Sequence, residues 1–276
     1  MGSMHAKRYA IVTGAGSGLG RAIAVELARR GWHLALADID LQGSGETLSR
    51  VERSGGQGQV ERLDVTSVSE WAALRDKLQT TWPALDLLVN NAGVGVGGEV
   101  GKLPLEDWQW IININLYGAI YGCHTLVDWM KQNSRGAHIV NIASLAAIVS
   151  APGMAPYNVT KAGMLSFSET LYGELKPHNI GVTGVCPSFF QTNIIRSGRF
   201  QSSQQRDAAA RLMSASRATA DDVARRIVRA IERKQLYVFA PASAGIYWRL
   251  KRLMPVALLN LIARRNAREA AAAANA

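Results

Sequence analysis

A serine, a tyrosine and a lysine stand at a spacing suited to proton exchange with an alcohol or a carbonyl group. Tyr157 follows Ser144 by thirteen residues, and Lys161 follows Tyr157 by four. Residues i and i+4 of a helix share one face, so we expect Lys161 to lie beside Tyr157. A phenol has a pKa of about 10, and a positive charge about 4 Å away favours its ionised form by roughly 4 kcal/mol at an effective dielectric constant of about 20. The spacing therefore predicts that Lys161 lowers the pKa of Tyr157, while the Ser144 hydroxyl holds the same oxygen.

A glycine-rich turn between a buried strand and a helix predicts a site for the pyrophosphate of a dinucleotide. The apolar run 9–12 is typical of a strand buried in a parallel sheet, and residues 21–30 carry apolar side chains at helical spacing. Between them the sequence reads Thr13-Gly14-x-x-x-Gly18-x-Gly20. Backbone N–H groups and the helix dipole attract phosphate, and glycine lets the backbone approach it closely.

An acidic residue at the end of the second strand indicates which nucleotide would bind. Asp38 follows the apolar run 34–37 and lies 18 residues after the last glycine of the turn, close to the spacing of a ribose-binding carboxylate. Such a carboxylate accepts hydrogen bonds from both adenosine ribose hydroxyls and repels a 2′-phosphate. No Arg or Lys stands at positions 17, 39 or 40 to bind that phosphate, so we expect NAD rather than NADP.

Taken together, these motifs resemble those of the short-chain dehydrogenase/reductase family, over about residues 7–240. Asp64 after a third strand, the run Asn90-Asn91-Ala92-Gly93, and Asn115 complete the pattern. Ser188 departs from it, because the family usually has glycine after the proline that here is Pro187, and serine tolerates unusual backbone angles less well.

The resemblance implies a role for each matched residue. Tyr157 would be the general acid/base, Lys161 would lower its pKa and bind the nicotinamide ribose, and Ser144 would orient and polarise the substrate oxygen. Asn115 would hold a water that relays protons through Lys161 to solvent. The residues implied in cofactor binding, besides Tyr157 and Lys161, are Gly14, Ser17, Gly18, Leu19, Gly20, Asp38, Ile39, Asp64, Val65, Asn91, Ala92, Gly93, Pro187, Phe190 and Thr192.

Apolar strands alternate with helical stretches along nearly the whole chain, which predicts an α/β fold. We expect a Rossmann, doubly wound, seven-stranded and mostly parallel sheet with helices on both faces. Residues 7–241 would form one domain with a substrate loop at about 188–218, followed by a basic amphipathic extension over 242–276. Met1-Gly2-Ser3 ahead of Met4 is typical of a tag, so residues 1–6 are expected outside the fold. The predicted strands lie near 8–13, 33–38, 59–63, 85–90, 137–143, 180–186 and 236–240.

The net charge of +10 comes entirely from the C-terminal third of the sequence. Residues 1–195 hold 15 Lys or Arg and 16 Asp or Glu, a balance of −1, whereas residues 196–276 hold 16 and 5, a balance of +11. This asymmetry indicates an acidic partner or surface, either an anionic membrane or an acidic carrier protein. Nucleic acid is not expected, because the arginines are not interleaved with exposed aromatic residues in a known module.

The segment 245–268 combines apolar residues with arginines at both ends. Its central apolar run, 253–263, is too short to span a bilayer. Three interpretations stay open: packing on this subunit or on a partner subunit, contact with an anionic membrane surface, or a wall of an apolar substrate pocket.

The expected reaction is hydride transfer between a secondary alcohol or ketone and NAD. The substrate pocket is expected to be mainly apolar, which favours a bulky steroid-like, lipid-like or aryl substrate, and its predicted contacts are Ser144, Leu145, Met154, Tyr157 and Phe189. An NADPH-dependent reductase of 3-oxoacyl chains on acyl carrier protein is the first alternative, and Asp38 argues against it. A non-catalytic dinucleotide-binding module is the second.

The sequence also supports expectations about the oligomeric state, metal binding and cellular compartment of the protein. The resemblance implies a homodimer or homotetramer, through long helices at about 106–132 and 155–176. No cluster of Cys, His and acidic residues has metal-ligand spacing, so no metal is expected. Cys123 and Cys186 fall on separate elements, which argues against a disulfide framework, and without a signal peptide a cytoplasmic protein is expected.

Overall fold

Seven parallel strands form the central sheet of the computed structural model, which describes residues 7–188, 190, 193–216 and 218–274. Within these residues the sheet order is β3-β2-β1-β4-β6-β7-β9, and every neighbouring pair is parallel. The predicted doubly wound sheet is confirmed, and each strand begins and ends within two residues of its predicted bounds. The strands of this sheet are β1 Arg8–Thr13, β2 Trp32–Asp38, β3 Gln57–Arg62, β4 Leu87–Asn90, β6 Ala137–Ile142, β7 Ile180–Pro187 and β9 Tyr237–Ala240.

Helices cover both faces of the sheet, and successive strand residues supply the two cores. Ala10 and Val12 of β1 pack with Ile23 and other residues of one face, whereas Ile11 packs with Trp71 on the other, as the alternation of side chains along a strand requires. Both sets are fully buried, which explains why these strands read as continuous apolar runs. The helices are α1 Gly18–Ala28, α2 Leu41–Arg53, α3 Val68–Gln79, α4 Leu105–Ile112, α5 Gly118–Lys131, α6 Ala146–Val149, α7 Ala155–Leu175, α8 Ser203–Ser214, α9 Ala220–Glu232, α10 Ala244–Leu253 and α11 Pro255–Ala274.

Side-chain caps fix where four of these helices begin, and α2 and α9 are two of them. The Asp40 carboxylate accepts a hydrogen bond from the Gly43 N–H at 2.9 Å and starts α2. At the start of α9, Thr219 and Asp222 form a reciprocal capping box.

The predicted helix over 106–132 is interrupted by one wider turn. Residues Asn113–Tyr117 form a π-helix between α4 and α5, and the buried Asn115 lies within it. Such turns often mark functional sites, and no residue pattern in the sequence predicted this one. The second predicted long helix, 155–176, corresponds to α7.

A small second sheet joins distant parts of the chain. Strand β5 Val96–Gly97 pairs in parallel with β8 Arg199–Phe200, just before α8. This pairing holds the segment that carries α8 against the rest of the protein.

Two C-terminal helices follow β9. Trp248 of α10 packs on Tyr237 and Phe239, and Leu258 of α11 is buried. Among the described residues, no helix combines the length and the apolar character needed to cross a membrane. The predicted division of the chain at residue 241 stays a prediction, and residues 1–6 lie outside the described part.

Candidate functional site

A cleft of about 1880 Å³ lies at the carboxyl end of the central sheet. The strand order reverses between β1 and β4, and ligands of open α/β sheets bind at such a switch point. Gly20 and Asn115 do not line the cleft, and Phe189 and Thr192 lie outside the described residues. The predicted residues that do line it are Gly14, Ser17, Gly18, Leu19, Asp38, Ile39, Asp64, Val65, Asn91, Ala92, Gly93, Ser144, Leu145, Met154, Tyr157, Lys161, Pro187 and Phe190.

The glycine-rich turn forms one end of the cleft and tolerates no side chains at two of its glycines. Gly14 has φ +63°, and a Cβ there would lie 2.9 Å from Ala92 Cα. At Gly20 a Cβ would lie 2.1 Å from the Gly14 carbonyl oxygen. Gly20 therefore acts from beneath the turn, by letting α1 pack directly against it.

Hydrogen bonds attach this turn to the end of β4. The Thr13 hydroxyl accepts from the backbone N–H groups of Asn91 and Ala92, at 2.9 and 3.0 Å. The Asn91 side chain donates to the Thr13 carbonyl at 2.8 Å. Asn91 thus fixes the shape of the turn from the neighbouring strand.

Asp38 is held at the rim of the cleft with its carboxylate directed to the turn. Its two oxygens accept hydrogen bonds from the Gly16 N–H at 2.8 Å and the Asp40 N–H at 3.0 Å. Arg21, the first basic residue after the turn, binds the Gly43 carbonyl and the Glu46 carboxylate, at 3.1 and 3.0 Å. Sequence reasoning missed Gly16 and Arg21, because neither contact follows from spacing alone.

Asp64 and Val65 line the same side of the cleft. Asp64 accepts hydrogen bonds from the backbone and hydroxyl of Thr66, at 2.9 and 2.7 Å. These bonds fix the carboxylate orientation at the end of β3.

Ser144, Tyr157 and Lys161 come together at the other end of the cleft. Tyr157 and Lys161 lie one turn apart on α7, and the Lys161 Nζ is 5.7 Å from the centre of the Tyr157 ring. The Ser144 side chain, which follows β6, lies close enough to the Tyr157 phenol to lower its pKa in part. Lys161 is buried, and its Nζ donates to the Ile142 carbonyl at 2.8 Å. The structure thus brings these three side chains together at the cleft, and their roles stay predictions.

The expected effect of Lys161 on the Tyr157 pKa is wrong for the protein alone. Burial raises the pKa of Tyr157, although the Ser144 side chain lowers it in part. Burial also lowers the pKa of Lys161 to about 8. The lysine charge lies against the aromatic ring and is directed to the Ile142 carbonyl, so its attraction does not outweigh the loss of hydration around the phenol.

Asn115 lies behind the cleft. Its side chain accepts from the Val94 N–H at 2.7 Å and donates to the Val94 carbonyl at 2.9 Å and the Thr160 hydroxyl at 3.3 Å. It thereby connects the segment after β4 to α7 beside Lys161. The proton-relay water that the resemblance implies stays a prediction.

The cleft continues past Tyr157 under α8 and the small sheet. Val96, Phe200 and Met213 line this part, as do Asp207 and Arg211 of α8. Helix α8 lies in the segment expected to form a substrate loop, and it adds charged residues to a pocket that is expected to be mainly apolar. Asn266 of α11 lies at the cleft as well.

Known proteins share this architecture. The family model described as short chain dehydrogenase matches residues 8–202. A cyclopentanol dehydrogenase of Comamonas testosteroni is 31% identical over 192 residues, which cover 70% of this chain and 76% of the relative. A short chain dehydrogenase/reductase of Burkholderia phymatum in complex with NAD is 32% identical, with a TM-score of 0.82 over 89% of this chain and 93% of that chain. A short-chain dehydrogenase of Sphingobium yanoikuyae in complex with NADPH is 25% identical, with a TM-score of 0.76 over 92% and 95%.

Some relatives are much longer than this chain. It is 30% identical over 256 residues to the protein named probable oxidoreductase EphD of Mycobacterium tuberculosis, a match that covers 90% of this chain and 43% of the relative. The chain thus spans less than half the length of these mycobacterial relatives.

Proposed function

Because the chain belongs to the short-chain dehydrogenase/reductase family, we propose that it is an NAD-dependent oxidoreductase acting on a bulky apolar secondary alcohol or its ketone. One observation carries the proposal. Ser144, Tyr157 and Lys161 converge at one end of a cleft whose other end is a glycine-rich turn beside Asp38. Proton-transfer groups and a nucleotide cradle therefore face the same space.

The residues of the turn fit a dinucleotide. Ser17 is the N-cap of α1, but its side chain makes no cap hydrogen bond. The Ser17 side chain therefore leaves the first N–H groups of the helix available to a phosphate. Gly14 has no side chain at a position where a Cβ would collide with Ala92. When bound, the nicotinamide supplies the hydride acceptor for oxidation, or the donor for reduction. Asp64 and Val65 would flank the adenine, and Lys161 would bind the nicotinamide ribose.

Asp38 supports the preference for NAD. Its carboxylate is fixed by Gly16 and Asp40, and an anion held there favours two ribose hydroxyls and repels a 2′-phosphate. Arg21 is engaged with Gly43 and Glu46, so a 2′-phosphate would have to break those bonds to use it. The Burkholderia structure in complex with NAD agrees with this preference, whereas the Sphingobium structure in complex with NADPH means that family membership alone does not decide it.

Tyr157 would exchange the proton, and Ser144 would hold the substrate oxygen. In oxidation the phenolate form of Tyr157 takes the hydroxyl proton while hydride leaves the carbinol carbon. Burial raises the pKa of this phenol, so at neutral pH the protein alone holds the protonated form, which donates to a ketone oxygen. For oxidation the phenol must first lose its proton, and the neighbouring Lys161 stabilises the resulting anion.

The walls of the cleft support an apolar substrate. Val96, Leu145 and Met154 line it near Tyr157, and the Comamonas relative carries the name of an enzyme for a cyclic secondary alcohol. Reduction of oxoacyl chains on an acidic carrier would use NADPH, which Asp38 disfavours. A non-catalytic module would not need Ser144, Tyr157 and Lys161 to converge at one cleft.

We also propose a homo-oligomer built through α4, α5 and α7. Tyr117, in the π-helix between α4 and α5, and Val159 of α7 are large apolar side chains, and their exposed fractions are 43% and 50%. Tyr117 stacks on Tyr121, with ring centres 5.7 Å apart. A second subunit that covers these apolar side chains would remove them from water, and this burial would stabilise the oligomer.

The first test of this function is nucleotide binding followed by turnover. NAD, NADH, NADP and NADPH are titrated separately by quenching of intrinsic tryptophan fluorescence, and a panel of apolar secondary alcohols is then screened with the preferred nucleotide. We expect markedly tighter binding of NAD and NADH, and oxidation of bulky cyclic alcohols before small linear ones. Tighter binding of NADPH would overturn the cofactor assignment, and binding without turnover of any alcohol or ketone would favour the non-catalytic module.

A further inference from the structure

Helices α10 and α11 present an outer surface that is both apolar and cationic. Leu253, Val256 and Leu261 are 79%, 68% and 65% exposed, although leucine and valine are among the residues most often buried. We define the C-terminal surface by six exposed residues: Ile246, Leu253, Val256, Leu261, Arg249 and Arg264.

The two helices are attached to the rest of the protein through their other side. Trp248 packs against Tyr237 and Phe239, with ring centres 5.4 and 6.0 Å apart, and Leu258 is 6% exposed. On α11, Leu261, Arg264 and Arg268 follow one another at spacings of three and four, so they share a helix face. Leu261 also follows the buried Leu258 by three residues, so the cationic face of α11 borders its packed side.

The C-terminal segment contains far more basic than acidic residues. Residues 241–276 contain six Arg or Lys and one Glu. Within the part of the chain that the structure describes, Arg249, Arg264 and Arg268 take part in no ion pair with an acidic side chain. A partner for this surface must therefore supply negative charge and a medium for apolar side chains at the same time.

We propose that the C-terminal surface docks on an anionic lipid bilayer. Leu253, Val256 and Leu261 would enter the boundary of the acyl chains, while the arginines bind headgroup phosphates above it. A second copy of this chain fits less well, because a two-fold contact would bring equally charged arginine clusters together. An acidic protein or a nucleic acid would satisfy the arginines but leaves exposed leucines without an apolar phase.

Docking does not by itself turn the cleft toward the bilayer. Asn266, which lines the cleft, follows Arg264 by two residues and therefore lies on a different side of α11. The proposal concerns attachment of the protein to lipid, and it does not rest on the proposed function.

Vesicle co-sedimentation tests the proposal with the full chain. We expect the protein to pellet with vesicles of phosphatidylcholine and phosphatidylglycerol, weakly with phosphatidylcholine alone, and less as salt is raised. Exchanging Arg249, Arg264 and Arg268 for Gln should lower the partition coefficient roughly a hundredfold, since each charge near an anionic surface contributes about 1 kcal/mol. The set Leu253→Ser, Val256→Ser and Leu261→Ser should lower it roughly tenfold or more.

Matched controls lie on other surfaces of the protein. Val68→Ser removes a 47% exposed valine of α3, and Arg53→Gln removes an exposed arginine of α2. Neither should change vesicle binding. NAD binding and the thermal midpoint show that each variant is folded. No pelleting with anionic vesicles at low salt would overturn the proposal. So would serine variants that keep full vesicle binding but change the oligomeric mass measured by light scattering, because the surface would then be a subunit interface.

Discussion

The ammonium group of Lys161 lies against the ring of Tyr157, 5.7 Å from its centre, and not against the phenol oxygen of that residue as a simple helical pairing suggests. Its hydrogen bond runs to the Ile142 carbonyl at 2.8 Å. Both side chains are thus tuned chiefly by burial, which raises the pKa of Tyr157 and lowers that of Lys161 to about 8. The lowered pKa of Lys161 should make the stability of the protein depend on pH, and this dependence can be measured without a substrate.

Lys161 should make the stability of the protein rise with pH in the alkaline range. Its pKa falls from 10.5 in the unfolded chain to about 8 in the fold, so between these values the unfolded state binds more protons and deprotonation favours folding. Relative to Lys161→Met, the free energy of unfolding should increase by up to about 3 kcal/mol from pH 8 to 10.5. Urea titrations of both proteins across this range test it, and parallel pH profiles would contradict the assignment.

Tyr157→Phe should remove turnover while sparing nucleotide binding. The variant keeps the ring that lies beside Lys161 but loses the hydroxyl that we propose exchanges the proton, so kcat should fall by about a thousandfold or more. Tyr172→Phe, at a partly buried tyrosine of the same helix, is the control and should stay near the wild-type rate. Steady-state kinetics and an NADH titration measure the two effects, and a Tyr157→Phe protein that turns over normally would refute the catalytic assignment.

Asp38→Asn should relax the choice of nucleotide toward NADP. Removing the charge ends the repulsion of a 2′-phosphate and weakens the bonds to the ribose, so the ratio of the NADP and NAD dissociation constants should fall by about tenfold or more. Asp40→Asn provides the neighbouring control, because it changes a residue that caps α2 and should leave the ratio unchanged. Selectivity that resists Asp38→Asn would show that another group rejects the phosphate.

Gly20→Ala should disturb the turn far more than Gly45→Ala. The added Cβ at Gly20 would lie 2.1 Å from the Gly14 carbonyl oxygen, whereas one at Gly45 meets nothing within 4 Å. Gly45→Ala within α2 should therefore be neutral, or stabilise the protein by about 0.5–1 kcal/mol. Thermal unfolding and NADH affinity distinguish the two, and equal effects would mean that the turn adjusts without cost.

The sheet and the shape of the glycine-rich turn could be predicted from the sequence because local signals determine both. Buried strands such as β1 require apolar residues on both faces, and the glycine turn requires positions like Gly14 where a side chain does not fit. These requirements restrict which residue types can occupy the positions. The same holds for the caps at Asp40 and Thr219, where one side chain satisfies one backbone group.

Other features depend on where distant segments of the chain meet, and the residue types along the sequence do not indicate them. The π-helix around Asn115 is set by contacts with Val94 and Thr160, which lie 21 and 45 residues away in the chain. The pKa of Tyr157 depends on how much protein surrounds the phenol, and spacing to Lys161 says nothing about that. The charged wall of α8 likewise follows from the pairing of β5 with β8 across about a hundred residues.

Arg199 should control access to the substrate end of the cleft, because it fastens β8 to α4. Its guanidinium binds the Asp107 carboxylate at 2.8 Å and lies 4.0 Å from the centre of the Trp110 ring. Since an exposed ion pair and a cation–π contact together contribute about 1 kcal/mol, Arg199→Ala should loosen the β5–β8 pairing. We expect KM for a bulky alcohol to rise about fivefold, with NADH affinity unchanged because the nucleotide end of the cleft does not touch β8. Arg75→Ala breaks another surface ion pair, to Asp76 on α3, and should alter neither quantity. If Arg199→Ala weakened NADH and substrate binding equally, its effect would be on the stability of the whole cleft and not on the segment that covers the substrate.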